Sequence, residues 1–361
     1  MTPRDSLQAL YRTQGAVLAN DGIPLHFGDL SAEYGAALES AVLLDRSHEG
    51  RIELRGEDRF NLPHRISTND LLNMQPCEGR ATLFLNANAR LLDRVEVFNW
   101  REEAALLMAG PGRSAPLADY LRRNIFFNDK ATLIDLTAQT YQLALHGPQA
   151  DAIMDVLYPG SDVNPEMHGL WFTVEDVVEV FAVRLKPYHG AHWALICPVE
   201  QAEILWSAVL QAGQPYGLKP SGGLVFNVLR IRAGRPGIGR ELSSEYIPLE
   251  IGLWDEVNFQ KGCYTGQEII ARMESRQRLA RTIVRLGLKQ PVNAGADLLS
   301  DDKRVGMVTS AVEAPDGEVF AIAVVRTGFA KPGVILNVNG QQAQVVDLLG
   351  VQPAALLEDE E

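Results

Sequence analysis

Residues 258–272 read Asn258-Phe259-Gln260-Lys261-Gly262-Cys263-Tyr264-Thr265-Gly266-Gln267-Glu268-Ile269-Ile270-Ala271-Arg272. Two glycines bracket a cysteine and a tyrosine, and a helix-forming run follows the second glycine. The spacing predicts a tight turn just ahead of a helix N-terminus, with Cys263 in the turn and Lys261 two residues away. There the helix dipole and the ammonium would both favour thiolate over thiol. The same residues also describe an inert cysteine packed in a glycine turn, so the stretch alone leaves both readings open.

Upstream, the chain contains an internal repeat. A short strand runs into a glycine and a polar helix start at Ile52-Glu53-Leu54-Arg55-Gly56-Glu57-Asp58, and again at Leu143-Ala144-Leu145-His146-Gly147-Pro148-Gln149. An apolar strand meets a proline at Leu106-Leu107-Met108-Ala109-Gly110-Pro111, and again at Trp193-Ala194-Leu195-Ile196-Cys197-Pro198. Helices follow the prolines over Ser114 to Arg123 and Gln201 to Leu210, since the first helical residues need no intrahelical donor. The two offsets are nearly equal, which predicts two copies of one α+β unit. Downstream of Thr282 the pattern becomes short alternating strands, such as Thr282 to Leu288, Arg304 to Val312 and Val319 to Val325. Turn residues such as Pro315-Asp316-Gly317 and Asn339-Gly340 separate them and predict a small β-barrel. Near the start, Leu7, Leu10, Tyr11, Val17 and Leu18 predict an amphipathic helix over Ser6 to Leu18. The terminal Glu358-Asp359-Glu360-Glu361 reads as a solvated tail.

The composition sets limits. With 361 residues, 46% of them hydrophobic and 22% charged, the chain can bury a large core. It has neither a run of apolar residues long enough to span a bilayer nor a signal-like start, which predicts a cytoplasmic protein without membrane contact. Its three cysteines, Cys77, Cys197 and Cys263, never form a CxxC pair, so neither a disulfide framework nor a protein-only zinc site is indicated. The net charge of −13 disfavours indiscriminate nucleic-acid binding. One stretch runs against that balance: Arg272, Arg276, Arg278, Arg281 and Arg285 stand against the single acid Glu274, either as a solvated face or as a contact for an anion or partner. His189 and His192 lack a third ligand at a useful spacing, so no metal site is expected. Gly234-Arg235-Pro236-Gly237-Ile238-Gly239 breaks the dinucleotide-binding order, and no G-x-S-x-G elbow occurs.

Eight consecutive residues, Lys261-Gly262-Cys263-Tyr264-Thr265-Gly266-Gln267-Glu268, resemble the K-G-C-[YFW]-x-G-Q-E signature of the YgfZ family, folate-binding relatives of the aminomethyltransferases. Asp45-Arg46-Ser47-His48, Thr68-Asn69-Asp70, the segment from Phe84 to Asp93 and the segment from Leu229 to Pro236 are similar to further motifs of that family. The resemblance covers nearly the whole chain. It implies an α+β fold, a T-protein-like ring of three domains around a cavity for tetrahydrofolate. Residues 1–278 would form two interleaved α+β units, and residues 279–361 a C-terminal β-barrel.

By position in these motifs, Asp93 corresponds to the carboxylate near the reactive folate nitrogens, and Arg230 to an arginine near the folate. Asn86, Tyr264 and Gln267 are further candidates for folate binding, and Cys263 joins Asp93 as a candidate catalytic residue. A carboxylate can position a nitrogen or accept its proton, and an arginine can engage the folate's carboxylate tail. The chain departs from the glycine cleavage T-protein pattern in two places. Tyr188-His189-Gly190-Ala191-His192-Trp193-Ala194 lacks both acids of the segment T-G-E-x-G-Y-E, and Asp93-Arg94 replaces a pair of aspartates. The T-protein also lacks the Lys-Gly-Cys-Tyr turn. The resemblance therefore implies a monomeric folate-binding accessory protein for the assembly or repair of iron-sulfur proteins, with client or assembly proteins as partners. A single cysteine cannot hold a cluster, so any cluster contact would need a second protein or small thiols. Two alternatives remain: an aminomethyltransferase of the glycine cleavage type, and a folate-linked tRNA-modification factor using the arginine-rich stretch.

Overall fold

The computed structural model describes residues 2–161, 164–276 and 278–351. The acidic tail read at Glu358 to Glu361 lies outside them. Helix α1 (Pro3–Thr13) begins at a capping box, in which Thr2 and Asp5 bond reciprocally and Pro3 takes a first-turn position. It stops five residues short of the expected Leu18, because Gly15 adopts φ +90° and Val17–Leu18 instead forms strand β1 against β2 (Pro24–His26). Two of the expected apolar positions, Leu7 and Tyr11, are fully buried. Helix α2 (Leu30–Glu39) and strand β3 (Val42–Asp45) follow.

The expected repeat is present. Its first copy runs β4 (Glu49–Arg55), α3 (Asn61–Ile66), β5 (Gly79–Leu85), β6 (Leu91–Arg101), β7 (Ala104–Pro111) and α4 (Ser114–Arg123), with β8 (Thr132–Asp135) after it. The second runs β9 (Thr140–Gly147), α5 (Ala150–Leu157), β10 (His168–Val174), β11 (Val178–Leu185), β12 (Ala191–Pro198) and α6 (Ala202–Gly213), with β13 (Lys219–Ser221) and α7 (Gly223–Arg232) after it. The sheets are ordered β5-β6-β7-β4-β8 and β10-β11-β12-β9-β3-β13. The first four strands of each sheet therefore repeat the same order. The next strands are exchanged: β3, which leads into the first copy, pairs with β9 of the second, while β8, which leads into the second, pairs with β4 of the first. This exchange is what interleaves the copies.

The repeat glycines sit where the exchanged strands arrive. Gly56 has φ +106°, and a Cβ there would lie 2.2 Å from the Lys130 carbonyl oxygen, just before β8. Gly147 has φ +131°, and its Cβ would lie 2.4 Å from the Ser40 carbonyl oxygen, just before β3. A side chain fails at both positions on conformation and on space.

The described chain divides into two compact units. The first comprises residues 1–62, 71–80 and 95–229. Within it, alternate residues of β12 serve two cores. Trp193, Leu195 and Cys197 of β12 join Ile153 of α5, Trp206 of α6 and Tyr11 of α1. Ala194 and Ile196 of the same strand meet Phe98, Leu106 and Met108 of the other sheet. The second unit comprises, of the described residues, 63–70, 81–94, 230–276 and 278–351. It carries α8 (Gln267–Arg276) and a closed barrel of β14 (Arg281–Gly287), β15 (Asp297–Ser300), β16 (Lys303–Glu313), β17 (Val319–Arg326), β18 (Ile335–Val338) and β19 (Gln341–Leu348). Val284, Leu286, Val308, Ala323 and Val345 are among its interior residues. No helix among the described residues is long and apolar enough to cross a membrane.

Candidate functional site

The Cys263 turn is built from Asn258 onward. The side-chain oxygen of Asn258 accepts from the backbone N–H groups of Gln260 (2.9 Å) and Lys261 (3.0 Å), which curls the chain into the turn. Lys261 then anchors it. Its Nζ donates to the carbonyls of His64, Ser67 (2.7 Å) and Asn69 (3.1 Å), at and just beyond the C-terminus of α3. Helix carbonyls at that end lack intrahelical donors, and a cation there also opposes the helix dipole. Burial pushes the Lys261 ammonium down to about 8, with nearby Asp70 acting in the opposite direction. The three carbonyls also oppose that push, because only the protonated amine can fill all of them. The cation that the sequence places two residues from the thiol is therefore committed to main-chain oxygens.

Cys263 itself is exposed, Cys77 is partly buried and Cys197 is buried. Burial raises the thiol of Cys77 and pushes that of Cys197 up to about 12. Cys263 lies ahead of α8, which starts at Gln267, and so stands outside its first turn. Tyr264 is buried, with its ring 5.4 Å from Lys261 Nζ, and burial pushes its hydroxyl up to about 12. Gln267 Nε2 lies 3.5 Å from the Lys261 carbonyl, and Glu268 is exposed.

Gly266, at φ +84°, packs on the tip of the β5–β6 hairpin, where a Cβ would lie 2.9 Å from both Ala89 Cα and the Asn86 carbonyl oxygen. Asn86 shapes that tip: its side-chain oxygen accepts from the N–H groups of Asn88 (2.9 Å) and Arg90 (3.0 Å). Gly262 has open space around it. Thr68 ties the same region together. Its Oγ1 donates to the Glu256 carbonyl at 2.8 Å, and its own carbonyl accepts from Asn258 N–H at 3.0 Å. The Thr-Asn-Asp motif, the hairpin tip and the cysteine turn, far apart in sequence, thus meet in one unit.

Asp93 lies on β6 in the same unit and is 5% exposed, with Oδ1 accepting from Arg94 N–H at 3.0 Å. Arg94, at the position of the T-protein's second aspartate, grips the buried Glu256 through Nε (2.8 Å) and Nη2 (2.7 Å). Arg230 donates to the Arg235 carbonyl (2.9 Å) and Ser310 Oγ (3.2 Å) and faces the fully buried Glu241 at 3.5 Å. A Cβ on Gly237 would lie 2.7 Å from its guanidinium carbon. Within the second unit, Arg230 thus ties the 235–241 segment to the barrel strand β16. The arginine-rich stretch divides in two. Arg281 pairs with Glu250 and Arg285 with Asp347, whereas Arg272, Arg276 and Arg278 are exposed.

The first unit holds a second cluster. Asp45 is buried, accepts from the Tyr141 hydroxyl and from Ser47 N–H, and has its carboxyl raised by burial. Arg46 lies over the Phe226 ring at 3.7 Å. His146, from the repeated Leu-His-Gly segment, stacks on His192 at 3.8 Å and is near-parallel to Tyr188 at 5.5 Å. Neither of its ring nitrogens has a hydrogen-bond partner among the described residues, and burial holds it well below the usual histidine range. Burial, aided by Arg46, also pushes His48 down to about 3. Sequence reading did not single out His146 as a site residue. The available signal was a histidine inside an otherwise apolar strand. His189 lies with Nε2 at 3.0 Å from the Leu38 carbonyl. Among the described residues, no group of three or more His, Cys, Asp or Glu is arranged to hold a metal ion.

Comparison with known proteins gives a consistent picture. The GCVT N-terminal domain family matches residues 14–261. A chloroplastic protein of Arabidopsis thaliana, provisionally named a transferase, is 29% identical over 334 residues, covering 92% of this chain and 76% of its own length. The aminomethyltransferase of Caldanaerobacter subterraneus subsp. tengcongensis is 27% identical over 360 residues, covering 96% and 94%. The crystal structure of the glycine cleavage system aminomethyltransferase T from Bartonella henselae matches the fold at a TM-score of 0.84 with 24% identity, covering 96% of each chain.

Proposed function

The chain belongs to the GCVT family, and from that premise we propose that it binds a reduced folate and supports the assembly or repair of iron-sulfur proteins. The observation that carries this reading is the Cys263 turn. It presents an exposed thiol on a loop held by the Lys261 ammonium and by the close approach of Gly266 to the hairpin tip. Such a thiol is accessible to a partner protein or an oxidised intermediate.

One further feature fits a pterin. Asp93 is a buried carboxylate able to orient a ring nitrogen or accept its proton. When bound, the folate would supply nitrogens able to carry a one-carbon unit.

In cells deprived of this protein, iron-sulfur enzyme activity should fall, and the wild-type chain but not Cys263→Ser should restore it. Full restoration by the serine variant removes the thiol from the function. In the purified protein, iodoacetamide should modify Cys263 faster than Cys77 or Cys197. Tetrahydrofolate should raise the melting temperature, because a ligand of the native state stabilises it. No shift at millimolar ligand counts against the folate itself.

The second reading, aminomethyl transfer, draws support from the names of the bacterial relatives and from the burial of Asp93. Turnover of an aminomethylated lipoyl carrier with tetrahydrofolate, lost in Asp93→Ala, would replace the first reading by this one.

A further inference from the structure

The arginine-rich stretch is not used by the folate reading as it stands. One member, Arg281, lines a cavity of about 300 Å³ on the barrel together with Arg304, Arg326, Tyr246 and Glu245. Much of the remaining lining is apolar, Val305 and Val324 included. Arg281 and Arg326 are direct cross-strand partners in the β14–β17 ladder, so two guanidinium groups share one face. Like charges placed this way repel unless an anion answers them.

The arginines are compensated unequally. Arg281 is answered by the buried Glu250 at 3.0 Å and lies over the Tyr246 ring at 4.7 Å. Arg304 pairs with Asp297 at 2.8 Å, but both side chains are more than half exposed, so that pair is weak and easily exchanged. Arg326 is exposed and has no side-chain partner among the described residues. Against these three cations the lining offers one carboxylate, Glu245. In a chain of net charge −13, this is a local inversion of sign.

The cavity is tied to the Asp93 strand. Leu91 N–H donates to the Tyr246 carbonyl at 3.1 Å, and Arg90 Nη1 donates to the Glu245 carbonyl at 2.8 Å. Asp93 follows two residues after Leu91, about 7 Å along β6 and on the same face.

We propose that this cavity receives the γ-glutamyl chain of a polyglutamylated reduced folate, with its free carboxylates meeting Arg304 and Arg326 beside the anchored Arg281. The inference rests on the folate reading and extends it from the pterin to the tail. A carboxylate-bearing peptide suits the site because guanidinium groups bind planar carboxylates through paired hydrogen bonds, while an apolar lining accepts the methylene groups between them. Arg230, at the position expected to serve the tail, is already bonded to Arg235, Glu241 and Ser310.

The test compares tetrahydrofolate with its pentaglutamate in titrations of the full chain at low salt. The pentaglutamate should bind about tenfold more tightly, the sum of two modest exposed charge contacts. The Arg304→Ala/Arg326→Ala double variant should reduce that ratio to about twofold, whereas Arg304→Lys/Arg326→Lys, which keeps the charges but not the paired hydrogen bonds, should fall between. Equal binding of the two folates by the wild type overturns the tail assignment and leaves the pterin reading standing. A ratio undiminished in the alanine variant also overturns it, and binding of neither folate overturns both readings.

Discussion

The two polar clusters of this protein differ in how completely they are satisfied. Around Cys263, the half-buried Lys261 ammonium donates to three carbonyls, the Asn258 side chain closes the turn, and Thr68 fastens the flanking segment. Around His146, the packing is aromatic, with His192, Tyr188 and Phe226 in contact and both imidazole nitrogens left without partners. A saturated network rigidifies, and here it fixes where a thiol is shown to solvent. An unsatisfied buried polar group carries a standing penalty of about 1–3 kcal/mol that a ligand can relieve. The lysine beside the reactive-looking cysteine thus belongs to the scaffold, while the inconspicuous histidine keeps free hydrogen-bonding capacity.

Breaking the saturated cluster should produce the largest effect. Lys261→Met removes three hydrogen bonds from a charged donor and leaves main-chain carbonyls unmet, so unfolding in urea should show a loss of about 3 kcal/mol. Hydrogen exchange should rise at residues 64–70 and in the Cys263 turn together, since one side chain joins them. Lys261→Arg, which keeps the charge but cannot copy the three-carbonyl geometry, should fall between. Full stability in the methionine variant would show that the clamp contributes little.

This contrast also marks what the sequence could convey. Gly56 and Gly147 mark the repeat in the sequence because each stands at a positive φ that a side chain resists, and the barrel strands show through alternation and turn residues. The exchange of β3 and β8 is not legible in the same way, since the strands that pair, and the carbonyls that crowd the two glycines, come from distant parts of the chain. The same holds for the site. The cysteine turn was legible as a run of glycines and polar residues, but the partners of Lys261 lie nearly two hundred residues upstream. Nothing in a Lys-Gly-Cys spelling distinguishes an ammonium that activates a thiol from one that caps a helix. His146 was harder still, because being unsatisfied is a property of surroundings assembled from β9, β12, the loop before β12 and α7.

The unsatisfied cluster can be probed by acid. Burial keeps folded His146 neutral well below its ordinary value of 6.5, and His48 behaves likewise down to about 3. Below about pH 6.5 the unfolded chain takes up protons that the folded state refuses. The stability conferred by the neutral histidines is therefore present above that pH and is lost as pH falls. Each such group should cost about 2 kcal/mol between pH 7 and pH 5. His146→Leu should lose less stability than the wild type over that interval, by about the contribution of one group. Identical acid sensitivity in the two proteins would mean that His146 titrates normally and that its cluster is open to water.

The smallest expected effect returns to the saturated side, at the hairpin tip on which Gly266 rests. Ala89 holds φ +55°, a left-handed conformation that a Cβ resists. Ala89→Gly relieves that strain, which is of order 1–2 kcal/mol, but gives back about 0.5–1 kcal/mol in the entropy of a freer unfolded chain. Loss of a buried methyl takes a further part, since Ala89 is fully enclosed. The net gain should be under about 1 kcal/mol, visible as a small rise in the urea midpoint. Because Ala89 touches the space that Gly266 leaves, the sign of the change is informative. Destabilisation by the glycine would mean that the methyl packs productively beneath the cysteine turn, so that the clamp of Lys261 and the hairpin tip act as one rigid support rather than two.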